Sequence, residues 1–273
     1  MFIYVMLTVI AFILLYLFAV MPQVYHRPDT TKFMGHFYAH RGLHDNHSSA
    51  PENSFSAFQK AVDAGYGIEL DVQLTKDNKV VVFHDESLKR MCEKPGKIRN
   101  FTYEELCDLL LLNSDQGIPL LRDVLSVVDG RIPLIVEIKI HEKVGTVCAK
   151  VNDELKDYRG PYVVESFHPL AVAWYRMNCP HIIRGQLASN FMHSKNLGIW
   201  PVYFVVQNLL SNFIAKPHFI SYDCRYRNAL SFLICRKLFH TLSVAWTVKD
   251  QKTLNSCREL FDLFIFEGFI PQR

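Results

Sequence analysis

The chain has 273 residues, 49% of them hydrophobic and 13% aromatic, with a formal net charge of +3. Such a composition suits one folded, barrel-sized domain and excludes a disordered or low-complexity protein. Lysine and arginine are scattered rather than clustered, so the charge gives no support for a nucleic-acid partner.

Met1 to Met21 is uncharged, rich in Ile, Leu, Val, Phe and Tyr, and ends at Pro22. It is long enough to cross a bilayer as a transmembrane helix. A cleaved secretory signal would need a basic n-region and a small-residue cleavage site, and the segment has neither, so an anchor is expected. Arg27 and Lys32 follow the span while nothing positive precedes it, which places the carboxyl-terminal part in the cytoplasm as a single-pass protein of the cell membrane. The seven cysteines agree: they are odd in number, lack a C-x-x-C pair and read as reduced, mostly buried thiols. Residues 22–35 then read as a linker and 36–273 as the catalytic domain.

Beyond the linker, short β-rich runs alternate with helical patterns. The runs are Phe37–Ala39, Gly67–Leu74, Leu134–Ile140, Tyr162–Ser166, Ile182–Leu187, Phe219–Asp223, Ser243–Thr247 and Leu263–Phe266. Phe55, Phe58 and Val62 keep helical spacing and stop at Gly65, and Val144, Val147, Cys148, Val151 and Leu155 form a second stripe. Eight strands with intervening helices predict a closed α/β barrel of the TIM (β/α)8 type. Lys79–His84 follows the second strand after only Thr75 to Asn78, too few residues for a parallel crossover, so it should return as an antiparallel hairpin arm. Residues 86–118 form a small insertion, with a capping box at Thr102-Tyr103-Glu104-Glu105 and the place to expect substrate-covering loops. The apolar stretch from Leu197 to Phe213 suits either a barrel helix packed on the core or a surface that dips into the bilayer.

Chemistry concentrates near the first two strands. Glu69 and Asp71 stand two apart on a strand and share a face, while Ile68, Leu70 and Val72 take the other. Glu137 and Lys139 repeat the spacing. Inward carboxylates are costly without a cation, and Glu69, Asp71 and Glu137 together suit one hard divalent ion, Mg²⁺ or Ca²⁺, although each acid could instead pair with a Lys or Arg in a structural salt bridge. His40 and His84 end the first strand and the arm, where an active face is expected, and two imidazoles suit general acid and base roles. Arg41 and Lys139 are candidate phosphate ligands, and Gly42 would let the backbone approach the ligand closely. Glu52 in Pro51-Glu52-Asn53-Ser54 suits orienting His40 or joining the metal shell, while Asn53 or Ser54 suits capping the helix that follows. Trp246 suits contact with a glycerol moiety or ordinary barrel packing. His44 and His47, three apart in a polar loop, lack the further ligands that zinc needs.

These residues resemble the motifs of the glycerophosphodiester phosphodiesterase family from about His36 onward. His40-Arg41-Gly42, Pro51-Glu52-Asn53-Ser54, Glu69-Leu70-Asp71-Val72, Thr75-Lys76-Asp77, His84-Asp85, Glu137-Ile138-Lys139, Ser166-Phe167 and Trp246-Thr247-Val248 occur in the family's order. The resemblance implies a TIM-type barrel and hydrolysis of a glycerophosphodiester substrate to sn-glycerol 3-phosphate and an alcohol. It assigns His40 and His84 to the acid/base pair and Glu69, Asp71 and Glu137 to the metal. It also implies attack by the glycerol 2-hydroxyl to give a cyclic phosphate that water then opens.

One departure stands out. Where many members end the last strand with Thr-Asp and a following Pro, this chain has Glu267-Gly268 before Phe269-Ile270-Pro271, so a closing helix is expected to be short or absent. Two other functions stay open on sequence: a phospholipase D acting on lysophospholipids or sphingolipids at the membrane, and an inactive membrane-tethered binding module. The second would be marked by loss of a histidine or acidic ligand, and none is lost.

Overall fold

Strands apolar on their outer faces and helices apolar on one stripe bury each other in a single wound layer, as the alternation of patterns predicts. The computed structural model describes residues 1–190 and 200–272. After the long helix α1 (Phe2–Val20) the chain runs through β1 (Phe37–His40), α2 (Phe55–Asp63), β2 (Gly67–Leu74) and β3 (Val80–Val82). The insertion carries the short helices α3 (Lys89–Cys92) and α4 (Tyr103–Leu106), followed by α5 (Leu121–Val128). Then come β4 (Leu134–Ile138), α6 (Val144–Leu155), β5 (Tyr162–Ser166), α7 (Pro169–Asn178), β6 (Arg184–Ala188), α8 (Trp200–Gln207) and α9 (Asn212–Ala215). The last elements are β7 (Phe219–Asp223), α10 (Leu230–Leu233), β8 (Leu242–Val248), α11 (Gln251–Cys257) and β9 (Leu263–Phe266).

Eight strands pair in parallel and in sequence order, from β1 and β2 through β4 to β9, and β9 pairs back onto β1. The barrel is therefore closed by strand pairing itself, and its final edge needs no helix. β3 lies antiparallel on β2, with Val72 opposite Val82, and is the expected arm. Its hinge is held by Thr75, whose hydroxyl donates to Asp77 and accepts from the Lys79 amide. Several strand ends differ from the expected bounds: β1 runs on to His40, β8 covers Leu242–Val248, and β3 covers only Val80–Val82, so that His84 lies two residues past its end. β4 stops at Ile138 rather than Ile140, and β6 begins at Arg184 because the Ile182 amide closes a turn onto Cys179.

Strand alternation divides the barrel into two apolar regions. Ile68, Leu70, Val72, Val136 and Ile138 face outward into the core shared with the helices. Tyr38, Ile135, Val163, Phe219, Val244 and Ile265 face inward and plug the N-terminal end of the barrel, so polar inward positions are left only at the other end. The insertion buries Leu88, Met91, Ile98, Leu106 and Leu111 in a core of its own with Val81 and Phe83 of the arm, and the capping box at Thr102 and Glu105 is formed. Residues 22–35 cross the N-terminal rim with Phe33 buried and its carbonyl accepting from the Tyr38 hydroxyl. Of the stretch Leu197–Phe213, residues 197–199 lie outside the described residues. In the remainder Val206 and Leu209 are buried, while Val202, Phe204 and Val205 face outward.

Candidate active site

Register assembles the site. His40 on β1 pairs with Glu69 on β2, and Asp71, Glu137 and Glu165 stand side by side on β2, β4 and β5. All five project inward one layer above the apolar plug, at the C-terminal rim expected for a barrel's chemistry. His40, Glu69, Glu137 and Glu165 border a cavity of about 740 Å³ that also meets His84, Arg41, Lys139 and Trp246, while Asp71 is fully buried beside it.

Oxygens of Glu69, Asp71 and Glu137 lie within 4.8 Å of one another, and all three side chains are buried. Glu165 adds a fourth buried carboxylate, with Oε2 lacking a hydrogen-bond partner. Among the described residues, two cations, Lys139 and Arg41, reach this group. Lys139 Nζ lies 2.9 Å from Asp71 Oδ1 and 2.6 Å from Glu137 Oε1, and Arg41 Nε lies 3.4 Å from Asp71 Oδ2. Burial and mutual repulsion with Asp71, Glu137 and Glu165 push the Glu69 carboxyl well above its ordinary range, and burial beside Glu137 does the same to Glu165. Burial also raises Glu137, against the pull of Lys139. Asp71 goes the other way: burial opposes its ionisation, but Lys139 and Arg41 hold it well below the ordinary range. With all four acids ionised, two cations would leave a deficit of two positive charges, which is what a divalent ion would supply. Asn53 donates through Nδ2 to Asp71, and its Oδ1 remains a buried acceptor without a partner.

Each histidine is oriented through Nδ1. His40 Nδ1 lies 2.6 Å from Glu267 Oε2, and His84 Nδ1 lies 2.7 Å from Asp85 Oδ1. The His40 Nε2 atom lies 3.8 Å from Glu69. Burial lowers the His40 pKa and outweighs the opposing hydrogen bond to Glu267. That bond in turn draws Glu267 down to about 2.

The structure redistributes some expected roles. Glu267 rather than Glu52 orients His40. Glu52 accepts from Arg41, Arg90 and Asn46, and although burial opposes its charge, Arg90 and Arg41 hold it at about 2. Gly42 lets the backbone approach helix α2 rather than a ligand: with φ of +83° it would place a Cβ 2.9 Å from the Ala57 carbonyl carbon. Ser54 is the cap of α2, accepting from the Ala57 amide, while Asn53 serves Asp71. Trp246 borders the cavity edge-to-face with Phe167, ring centroids 5.5 Å apart, with its Nε1 buried and without a partner. Glu267, Glu165 and Arg90 were not singled out by sequence reasoning. For Glu165 the signal was present: a Glu on the inward parity of its strand.

A family model described as the glycerophosphoryl diester phosphodiesterase family matches residues 40–193. The chain belongs to that family. It is accordingly an enzyme of the phosphoric diester hydrolase class. It is 34% identical over 176 residues to a glycerophosphodiester phosphodiesterase of Bacillus altitudinis, covering 60% of this chain and 71% of that one. It is 32% identical over 153 residues to human lysophospholipase D GDPD1, covering 50% of this chain and 46% of the human protein. Among solved structures, a phosphodiesterase of Oleispira antarctica in complex with sn-glycerol-3-phosphate superposes with a TM-score of 0.69 at 21% identity, covering 86% of this chain and 93% of that one. The barrel with its hairpin arm is thus the fold of this group.

Proposed function

We propose that the chain is a membrane-anchored glycerophosphodiesterase that uses one divalent cation, Mg²⁺ or Ca²⁺, to release sn-glycerol 3-phosphate and an alcohol. The observation that carries this reading is the buried acidic cluster with too few cations to neutralise it, set beside two imidazoles. Glu69, Asp71 and Glu137 would hold the ion, with Asn53 and Glu165 supporting them from behind. When bound, the ion supplies positive charge where the phosphoryl oxygens gather negative charge.

The remaining work falls to side chains of this chain. Arg41 and Lys139 would bind the phosphate, Arg41 by its planar fork and Lys139 as a point charge. His40 donates its Nδ1 proton to Glu267, leaving Nε2 as the acceptor for the proton of the attacking hydroxyl. His84, fixed at Nδ1 by Asp85, presents Nε2 to the leaving alcohol as the acid. Trp246 and Phe167 form an aromatic wall for the glycerol moiety. Residues 1–21 serve as the anchor, 22–35 as the connection and 36–273 as the catalytic domain on the cytoplasmic side.

His40→Ala or His84→Ala should abolish turnover of glycerophosphocholine with the far-ultraviolet dichroism unchanged, and EDTA should inactivate reversibly. Wild-type turnover by either variant would remove that residue from the mechanism. A second reading, lysophospholipase D action, is favoured by the human relative and by the outward apolar face of α8. Comparing glycerophosphocholine with lysophosphatidylcholine separates the two: hydrolysis of the lipid alone would replace the first reading. A reporter that works only outside the cytoplasm, fused to the carboxyl terminus, should stay inactive.

A further inference from the structure

Among the described residues, helix α1 meets the barrel through its last five residues, Tyr16 to Val20. The Val20 carbonyl accepts from Asn212 Nδ2 and Cys235 Sγ, and Phe18 packs on Phe213 with ring centroids 5.7 Å apart. Met21 O accepts from Lys216 Nζ and the Gln23 amide donates to Pro217 O, which fixes the end of α1 beside the N-terminal end of β7. One turn earlier, Tyr16 comes within electrostatic reach of Cys235 and of Tyr222, the penultimate residue of β7.

Residues 2–15 leave the barrel exposed on every side. At 1.5 Å per residue they cover about 21 Å, whereas a hydrocarbon core is about 30 Å thick and the whole of α1 about 28 Å long. With its docked turn in the bilayer α1 matches the thickness of the hydrocarbon core, and the elements packed beside that turn then enter with it. Those elements are built for it. No charged residue occurs from Trp200 to Ala215, and Val202, Phe204 and Val205 of α8 and Phe213 and Ile214 of α9 are 37–59% exposed. Lys216, next in sequence, reaches the end of α1, where a cation suits the headgroup layer.

We propose that α8, α9 and the last turn of α1 form one lipid-contacting surface that sinks into the bilayer beside the anchor helix. The proposal rests on the reading of α1 as an anchor. Its partner is the bilayer itself, because the patch is continuous with the docked end of the anchor helix, where Phe18 packs on Phe213 and Asn212 holds Val20.

The test uses the full chain in phosphatidylcholine vesicles, with and without phosphatidylcholine brominated on its acyl chains. Phe204→Trp and Val205→Trp each add an indole on the patch, and Asp157→Trp adds one just past the end of α6, in the exposed loop that leads to β5. The emission added over wild type should be roughly halved by brominated lipid for the first two and unchanged for the third. Turnover of glycerophosphocholine shows that each variant is folded. If none of the three is quenched although a carbonate wash leaves the protein on the vesicles, the surface is overturned and the anchor survives. A second copy of the chain covering the patch would give that same result. If the wash strips the protein off, the anchor reading falls and the proposal with it.

Discussion

Glu267 holds His40 by a single short contact to Nδ1, so its effect can be separated from the rest of the site. Glu267→Gln keeps the shape and removes the charge that favours imidazolium. The His40 pKa should then fall further, moving the acid limb of kcat/KM to lower pH, while the rate at neutral pH drops roughly 10- to 100-fold through loss of ring orientation. A pH profile checks both effects; an unmoved limb would mean that Glu267 does not act on His40. Sequence reasoning passed over this residue because it occupies the place where the chain departs from the common Thr-Asp ending. Glu165 has a different signature. Its carboxyl is pushed up by burial and by the neighbouring Glu137, which favours the protonated form that an amide imitates. Glu165→Gln should therefore leave the metal-free stability at neutral pH within about 1 kcal/mol, yet weaken Mg²⁺ or Ca²⁺ binding about tenfold by removing a latent charge. Calorimetric titration beside urea unfolding reads both quantities.

Between β1 and α2 the chain turns through two consecutive left-handed residues, Arg41 at φ +54° and Gly42 at φ +83°. The turn aims the Arg41 amide at Glu69 and its guanidinium at Glu52 and Asp71. Gly42→Ala places a methyl against Ala57 and Phe58 in a conformation that L side chains resist. We expect a loss of about 1–3 kcal/mol in urea unfolding, with KM rising more than kcat falls as Arg41 is displaced from the phosphate. At this scale the sequence was a good guide wherever one period dominated. The alternation Glu69-Leu70-Asp71-Val72 gave the inward and outward faces of β2, and the short Thr75–Asn78 link gave the antiparallel arm. It was a poorer guide at ends, where a single turn bond decides the boundary, as at Ile182 before β6. Glu52 was legible as a functional residue but not as Arg90's partner, because that contact joins a loop to an insertion 38 residues away.

The whole barrel concentrates its acids at one rim, and this couples stability, pH and the cation. Glu69, Glu137 and Glu165 are raised above the ordinary carboxyl value of 4.5. In the metal-free protein their protonated forms are favoured by folding, so stability falls as pH rises above 4.5 and through the folded values. Glu52 and Glu267, each depressed to about 2, act oppositely: the stability they contribute is present above 4.5 and is lost as pH falls toward 2. An acid limb and a neutral limb should therefore bound the stability of the metal-free protein, and only the neutral limb should respond to the ion. A divalent cation favours the ionised carboxylates, so binding near pH 7 should release roughly one to two protons. The release is measurable as the dependence of calorimetric binding enthalpy on buffer ionisation enthalpy. Thermal unfolding gives the companion result: the gap in Tm between Mg²⁺ and EDTA should widen from about pH 5 to pH 8 as the ion offsets repulsion that grows with ionisation. A gap that stays constant across that range, with no proton release, would mean that the cluster is already ionised and neutralised by Arg41 and Lys139, and that its four carboxylates form a salt-bridge network rather than a cation site.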